Sequence, residues 1–194
     1  KPTSPYARKV RIVAIEAGVS DQIEPMDVPL RDPNSDFWKV NPTGMIPALI
    51  TDDGELVVES NFLCDYLDSM NKGRRLFPQQ TQERLRALKL AAFGGLVMDA
   101  YVTRHRETWR PEESRDLKKI ELEKERIASI LDALEAEQGL FFDPLNIGHI
   151  TLACGLSVGE RHFPNENWRS TRPRVAAWYE EFKSRPSMRD TYAE

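Results

Sequence analysis

Strand signals in this sequence end at Val58, and everything past residue 81 is written for helices. A chain divided in this way implies a small α/β unit followed by an all-helical one. In the first part, Ser4 is placed to cap a helix over residues 5–17. Pro5 is its first residue, Tyr6, Val10, Val13, Ala14 and Ala17 are its apolar positions, and Gly18 lies just past its end. Residues 23–28 read as extended, residues 29–35 as a polar loop, and Phe37-Trp38 as one helical turn. Residues 48–51 and 56–58 are short apolar runs joined through Asp52-Asp53-Gly54, where Asp-Gly supplies the positive φ angles of a tight antiparallel hairpin. Phe62, Leu63, Tyr66, Leu67 and Met70 then recur at helical spacing.

Residues 73–80 read as a linker, with Leu76 and Phe77 as a hydrophobic tether, between a domain at 1–72 and a helical domain at 81–194. The helix over residues 81–109 is apolar nearly all round, which implies burial on more than one side, and Gly94-Gly95 within it implies a close helix approach. A second helix is expected from Pro111 to Gln138, with Ile120, Ile127, Leu131 and Leu134 inward and Gly139 as its stop. Asn146 reads as the next N-cap, with Leu145 and Ile150 in hydrophobic-staple positions ahead of an apolar core helix. A last helix over residues 173–184 carries Val175, Trp178 and Phe182 inward, and Trp109 and Trp168 are expected in the core.

Composition excludes several functions. The 194 residues carry a net charge of −4, and Lys and Arg are interspersed with Asp and Glu, so no basic field for nucleic acid is expected. No run of about 18 apolar residues occurs, so neither a membrane span nor membrane association is expected. Cys64 and Cys154 sit in apolar helical patterns, away from any CxxC spacing, and read as buried thiols of a cytoplasmic protein. His105 and His162 have no companions at ligand spacing, so no metal site is expected.

Four stretches carry a resemblance: Ser4-Pro5-Tyr6-Ala7-Arg8-Lys9-Val10-Arg11, Asn41-Pro42-Thr43-Gly44-Met45-Ile46-Pro47-Ala48-Leu49, Glu59-Ser60, and Trp178-Tyr179 with Arg185-Pro186-Ser187-Met188. In this order and spacing the chain resembles the cytosolic glutathione transferases of the serine type, and most of all the small bacterial members. The resemblance implies a thioredoxin-like N-terminal domain, a C-terminal helical bundle, a homodimer, and glutathione as co-substrate. It also implies a first strand that a chain beginning Lys1-Pro2-Thr3-Ser4 has no room for, so a shortened start is expected.

The chemistry expected of these motifs is anion and peptide recognition. A helix N-terminus favours a thiolate, and a hydroxyl from Ser4 can donate to its sulfur, with Thr3 as the rival hydroxyl. Arg8, Lys9 and Arg11 add positive charge, most of it expected to face solvent. The resemblance implies a cis Ile46–Pro47 bond that presents the Ile46 backbone to an extended peptide. Glu59 and Ser60 suit an α-amino acid head, ammonium to Glu59 and carboxylate to the helix start; a plain helix cap is the competing reading. Where many relatives place a lysine two residues before the cis proline, this chain has Met45, and Lys39 or Trp38 is the expected substitute. A second substrate is expected near Tyr6, Met98, Asp99, Tyr101, Val102 and His105, with plain packing the competing reading for Met98 and Val102. The expected reaction is conjugation of the glutathione thiolate to small, partly apolar electrophiles. The alternatives are a non-catalytic interaction protein on the same fold, or a glutathione-dependent isomerase or ether lyase.

Overall fold

Helix α1 spans Pro5–Glu16 and begins at the expected cap. Ser4 is extended, the Ala7 N–H donates to Ser4 Oγ at 3.3 Å, and Pro5 has no donor to satisfy. In this computed structural model, which describes residues 4–30, 32, 34–137, 139, 141 and 143–192, the buried face of α1 is Ile12, Val13 and Ala14 together with Arg8 and Lys9. Of Arg8, Lys9 and Arg11, whose charge is expected mostly at the surface, two are therefore inside and Arg11 alone of them is exposed. Thr3 and Gln138 lie outside the described residues.

The chain divides into two units, Lys1–Leu76 with Asp190–Glu194, and Phe77–Arg189. The last residues thus belong to the first unit, whereas the sequence assigned them to the second. Arg8 makes this return: its Nε donates to Thr191 Oγ1 at 3.3 Å, and its guanidinium lies 5.2 Å from the centroid of the Tyr192 ring.

In the first unit, α2 is the single turn Phe37–Val40, and β1 (Ala48–Ile50) pairs antiparallel with β2 (Leu56–Val58), Leu49 opposite Val57. The hairpin differs from expectation at its turn. Gly54 alone takes positive φ, at +83°, the Gly54 N–H donates to the Thr51 carbonyl at 2.9 Å, and the Thr51 N–H donates to the Glu55 carbonyl at 3.0 Å. The loop is the expected Asp52-Asp53-Gly54, three residues closed by a left-handed glycine, with Asp53 not sharing the positive φ. Residues 23–28 form no strand, and among the described residues β1 and β2 make the whole sheet. α3 (Ser60–Ser69) packs on α1 through Leu63, Cys64 and Leu67. Buried Asp68 then folds the connection back onto its own helix: Oδ1 accepts the Leu76 N–H at 2.8 Å, and Oδ2 accepts Arg75 Nε at 3.2 Å. Leu76 and Phe77 are both buried.

The second unit is built on α4 (Thr81–Glu107) and α6 (Ile147–His162), both with polar residues at few inward positions. Gly94 accounts for their close approach, since a Cβ there would sit 2.4 Å from the Leu152 backbone nitrogen; Gly95 meets nothing within 4 Å. α5 covers Leu117–Ala136, six residues later than expected at its start. Pro111 is extended at ψ 142°, and Asp116 is the cap, its carboxylate accepting the Lys119 N–H at 3.0 Å. Gly139, the expected stop, carries φ +96°. Ile127, Ile130, Leu131 and Leu134 form the inward face of α5.

α6 has the expected Asn146 cap and an unexpected partner for it. The Gly148 N–H donates to Asn146 Oδ1 at 2.9 Å, and the Asn146 N–H donates to His149 Nδ1 at 3.2 Å. A buried histidine therefore closes the capping box in place of a carboxylate. α7 (Trp168–Thr171), α8 (Pro173–Lys183) and α9 (Pro186–Asp190), the last up to Arg189, complete the unit. On α8 the buried residues are Val175, Tyr179 and Phe182, and Trp178 is half-buried with its ring stacked 4.9 Å from Phe141. Trp168 is in the core, but Trp109 is 62% exposed, contrary to expectation.

Candidate functional site

The first unit brings together helix starts, a cis turn and a buried cation. At α1, Ser4 Oγ accepts from the helix, which leaves its own proton to donate; an acceptor already polarised in this way is a better donor. The Ser4 side chain is half-buried, at a helix N-terminus whose remaining N–H groups favour an anion. Tyr6, one residue into the same helix, is also half-buried.

The Ile46–Pro47 peptide is cis. The turn before it is held by Asn41, which is fully buried. Its Nδ2 donates to the Met45 carbonyl at 2.7 Å, and its Oδ1 accepts the Thr43 N–H at 3.0 Å and the Thr43 hydroxyl at 2.7 Å. Gly44 is required in the same turn. Its φ is +61°, and a Cβ would lie 2.0 Å from the Trp38 ring. Trp38 thus seats the turn. Among the described residues nothing hydrogen-bonds to the backbone of Ile46. Lys39 is 79% exposed at its side chain and pairs with Asp36 at 2.7 Å, and Met45 is exposed.

Glu59 is the one described non-glycine residue with positive φ, at φ 68° and ψ 130°, a region that L residues avoid. Its side chain holds it there. Oε1 accepts the Ser60 hydroxyl at 2.9 Å, and Oε2 accepts the Asn61 N–H at 3.1 Å. Ser60 is buried and Glu59 exposed, so a carboxylate stands at the mouth of the α3 N-terminus. One turn into α1, Lys9 is only 2% exposed and donates from Nζ to Asn61 Oδ1 at 2.7 Å, tying α1 to the first turn of α3. The sequence held a signal for this: Lys9, Ile12 and Val13 have i, i+3, i+4 spacing.

The residues expected around a second substrate, Tyr6 apart, lie on α4 in the other unit. Met98 and Tyr101 are each 1% exposed and packed against α6, where a Cβ on Gly155 would come 3.1 Å from the Met98 nitrogen and one on Gly159 would enter the Tyr101 ring. Neither presents a surface, and the α6 side of α4 holds both. Burial, with Glu166 nearby, pushes the Tyr101 phenol up to about 12 against the opposing pull of Arg104. Val102 is half-buried, and Asp99 is exposed on α4. His105 is half-buried and stacks on His162 with ring centroids 3.6 Å apart. Among the described residues no group of three or more His, Cys, Asp or Glu could hold a metal ion, and no helix is long and apolar enough to cross a membrane.

Comparison with known proteins places this architecture. Residues 3–70 match the family model for the glutathione S-transferase N-terminal domain. The GST-like protein YibF of Escherichia coli is 30% identical, with 97% of this chain and 94% of that protein covered. Among solved structures, a glutathione transferase family member from Pseudomonas fluorescens with bound glutathione superposes at a TM-score of 0.92 with 33% identity, over 100% of this chain and 97% of that one. A glutathione S-transferase from Methylobacillus flagellatus, also with glutathione bound, gives 0.89 and 30% over 99% and 96%. The Ser-Pro helix start, cis-proline turn and Glu-Ser helix start thus stand in one thioredoxin-like unit ahead of an all-helical one, and the chain belongs to the glutathione S-transferase family, among its bacterial-type members.

Proposed function

We propose that this protein is a glutathione S-transferase that holds glutathione along its first unit and transfers the thiolate to small, partly apolar electrophiles. The observation that carries this reading is Ser4: its Oγ is already bonded to the Ala7 N–H, and its proton faces no competing acceptor among the described residues. A tripeptide sulfur at this helix start would accept that proton as a hydrogen bond, and the bond strengthens as S–H ionises to water. The thiolate then forms a C–S bond while a leaving group departs with its electron pair, or adds to an activated double bond whose resulting carbanion takes a proton from water. Ser4 itself gives up no proton.

The remaining contacts follow from the same unit. Ile46 offers its unengaged N–H and C=O to the central residue of the peptide. Glu59 accepts the ligand ammonium, and the Ser60 backbone N–H at the α3 N-terminus receives the α-carboxylate, the Ser60 hydroxyl being given to Glu59 Oε1. Similarity to proteins crystallised with glutathione supports the choice of ligand. Cys64 and Cys154, both buried, fit a cytoplasmic setting. A second copy of the chain would cover the apolar stripe that α4 leaves exposed at Leu85, Leu88, Ala92 and Leu96.

One observation favours the non-catalytic reading. Met45 stands exposed where many relatives place a lysine, so the glycine carboxylate lacks that cation, and Lys39 pairs with Asp36 in solvent. Retention on immobilised glutathione followed by turnover of a generic aryl halide tests the proposal. Retention and turnover support transfer; retention without turnover on a panel of electrophiles moves the reading to a binding scaffold.

A further inference from the structure

A lysine ammonium buried to 2% exposure is expensive to keep unless its charge serves another group. Lys9 meets this condition in an unusual way. Among the described residues no carboxylate pairs with it, and its hydrogen-bond partner is the neutral Oδ1 of Asn61 at 2.7 Å. That bond fixes which end of the amide faces which way. With Oδ1 committed to Lys9, the Nδ2 of exposed Asn61 is left as a donor without an acceptor among the described residues. Asn61 is the second residue of α3, and its backbone N–H is already given to Glu59 Oε2 at 3.1 Å.

We propose that Asn61 is a specificity-determining residue that donates from Nδ2 to the α-carboxylate of a γ-glutamyl ligand, and that Lys9 is the positioning residue that locks its amide in the donor orientation. The inference rests on the glutathione reading above and adds to it. Glu59 and the Lys9–Asn61 pair then read the two charges of the zwitterionic head separately, ammonium on one side and carboxylate on the other. Lys9 contributes its field as well, because a carboxylate arriving at Asn61 is the anion that the buried ammonium lacks.

The test uses the full chain and three peptides: glutathione; the analogue with 4-aminobutyryl in place of γ-glutamyl, which lacks only the α-carboxylate; and the glutaryl analogue, which lacks only the ammonium. Calorimetric Kd values are measured for wild type, Asn61→Ala, Lys9→Gln and Lys9→Arg. Asn61→Ala and Lys9→Gln weaken glutathione and the glutaryl analogue by about tenfold, the scale of one charge-assisted hydrogen bond, and leave the 4-aminobutyryl analogue within about twofold. Lys9→Arg restores the preference in large part. Asn61 is exposed, so Asn61→Ala tests the site even if Lys9→Gln fails to fold. Equal losses for all three peptides, or no loss for any, overturn the proposal while leaving the glutathione reading intact. Failure of the wild type to bind glutathione overturns both.

Discussion

Gly94 and Gly155 meet across α4 and α6 with no room for a side chain on either: a Cβ on Gly155 would lie 2.8 Å from the Gly94 carbonyl oxygen, and one on Gly94 would lie 2.6 Å from Leu152 Cα. Both obstacles are backbone, so the helices must separate to accommodate a methyl group. Gly94→Ala is expected to lower stability by about 1–3 kcal/mol, the range for overpacking a dense core. Gly95→Ala, next to it and with nothing within 4 Å, is expected to raise stability by about 0.5–1 kcal/mol through helix propensity alone. Urea unfolding of both variants checks the pair. A shift of the same sign in both would show that propensity, not space, governs these positions.

The imidazoles of His105 and His162 are expected to make the second unit less stable in acid. Burial, then His105 and Arg161, hold His162 down at about 4, and burial with Arg161 also lowers His105. In the unfolded chain a histidine titrates near 6.5, so between about 4 and 6.5 the unfolded state binds more protons than the folded one. Stability contributed by His162 is therefore complete above about 6.5 and is lost as pH falls through that window. His162→Gln should flatten the dependence of the unfolding midpoint on pH over this range relative to wild type. Parallel curves for the two proteins would rule out the stacked pair as the cause.

Parts of this molecule that depend on neighbours in sequence could be read from it, and parts that depend on distant neighbours could not. The Ser4-Pro5 start, the Asn146 cap and the cis bond at Pro47 were accessible because caps are local and the cis turn came with a resemblance spanning several motifs. The His105–His162 stack joins the ends of two helices, and periodicity assigns each helix a face without saying which faces meet. Lys9 was missed for a different reason. Its letter argued for solvent while its spacing with Ile12 and Val13 argued for the interior, and spacing was the better guide. Trp109 was the reverse case, an aromatic residue assigned inward by type that stands at the exposed end of α4, edge-on to His105.

A homodimer would explain why α4 exposes Leu85, Leu88 and Leu96 at helical spacing along one face. Equilibrium sedimentation at micromolar concentration should give twice the 22.3 kDa chain mass. Leu88→Glu combined with Leu96→Lys should give the single-chain mass, because each places a charge on the face to be covered. A wild-type chain that sediments alone would leave the stripe without this role.

The identity of the thiolate donor is the most direct test of the proposed chemistry. Ser4→Ala removes the hydroxyl, and a hydrogen bond to a charged group is worth about 1.5–3 kcal/mol, so kcat should fall roughly ten- to hundredfold. Glutathione affinity should change little, since the bond strengthens only as sulfur becomes anionic. The substitution also removes the α1 cap, because Ser4 Oγ accepts the Ala7 N–H, at a cost of about 0.5–2 kcal/mol in stability. Ser4→Gly separates the two effects: glycine at an N-cap costs only a few tenths of a kcal/mol, yet it lacks the hydroxyl just as alanine does. Turnover should therefore fall alike in both variants while their stabilities differ. Ultraviolet titration of the bound thiolate supplies the independent measure, with the thiol pKa expected to rise in Ser4→Ala and Ser4→Gly and to stay at its wild-type value in Thr3→Ala. The opposite pattern, a rise in Thr3→Ala alone, would transfer the role to Thr3.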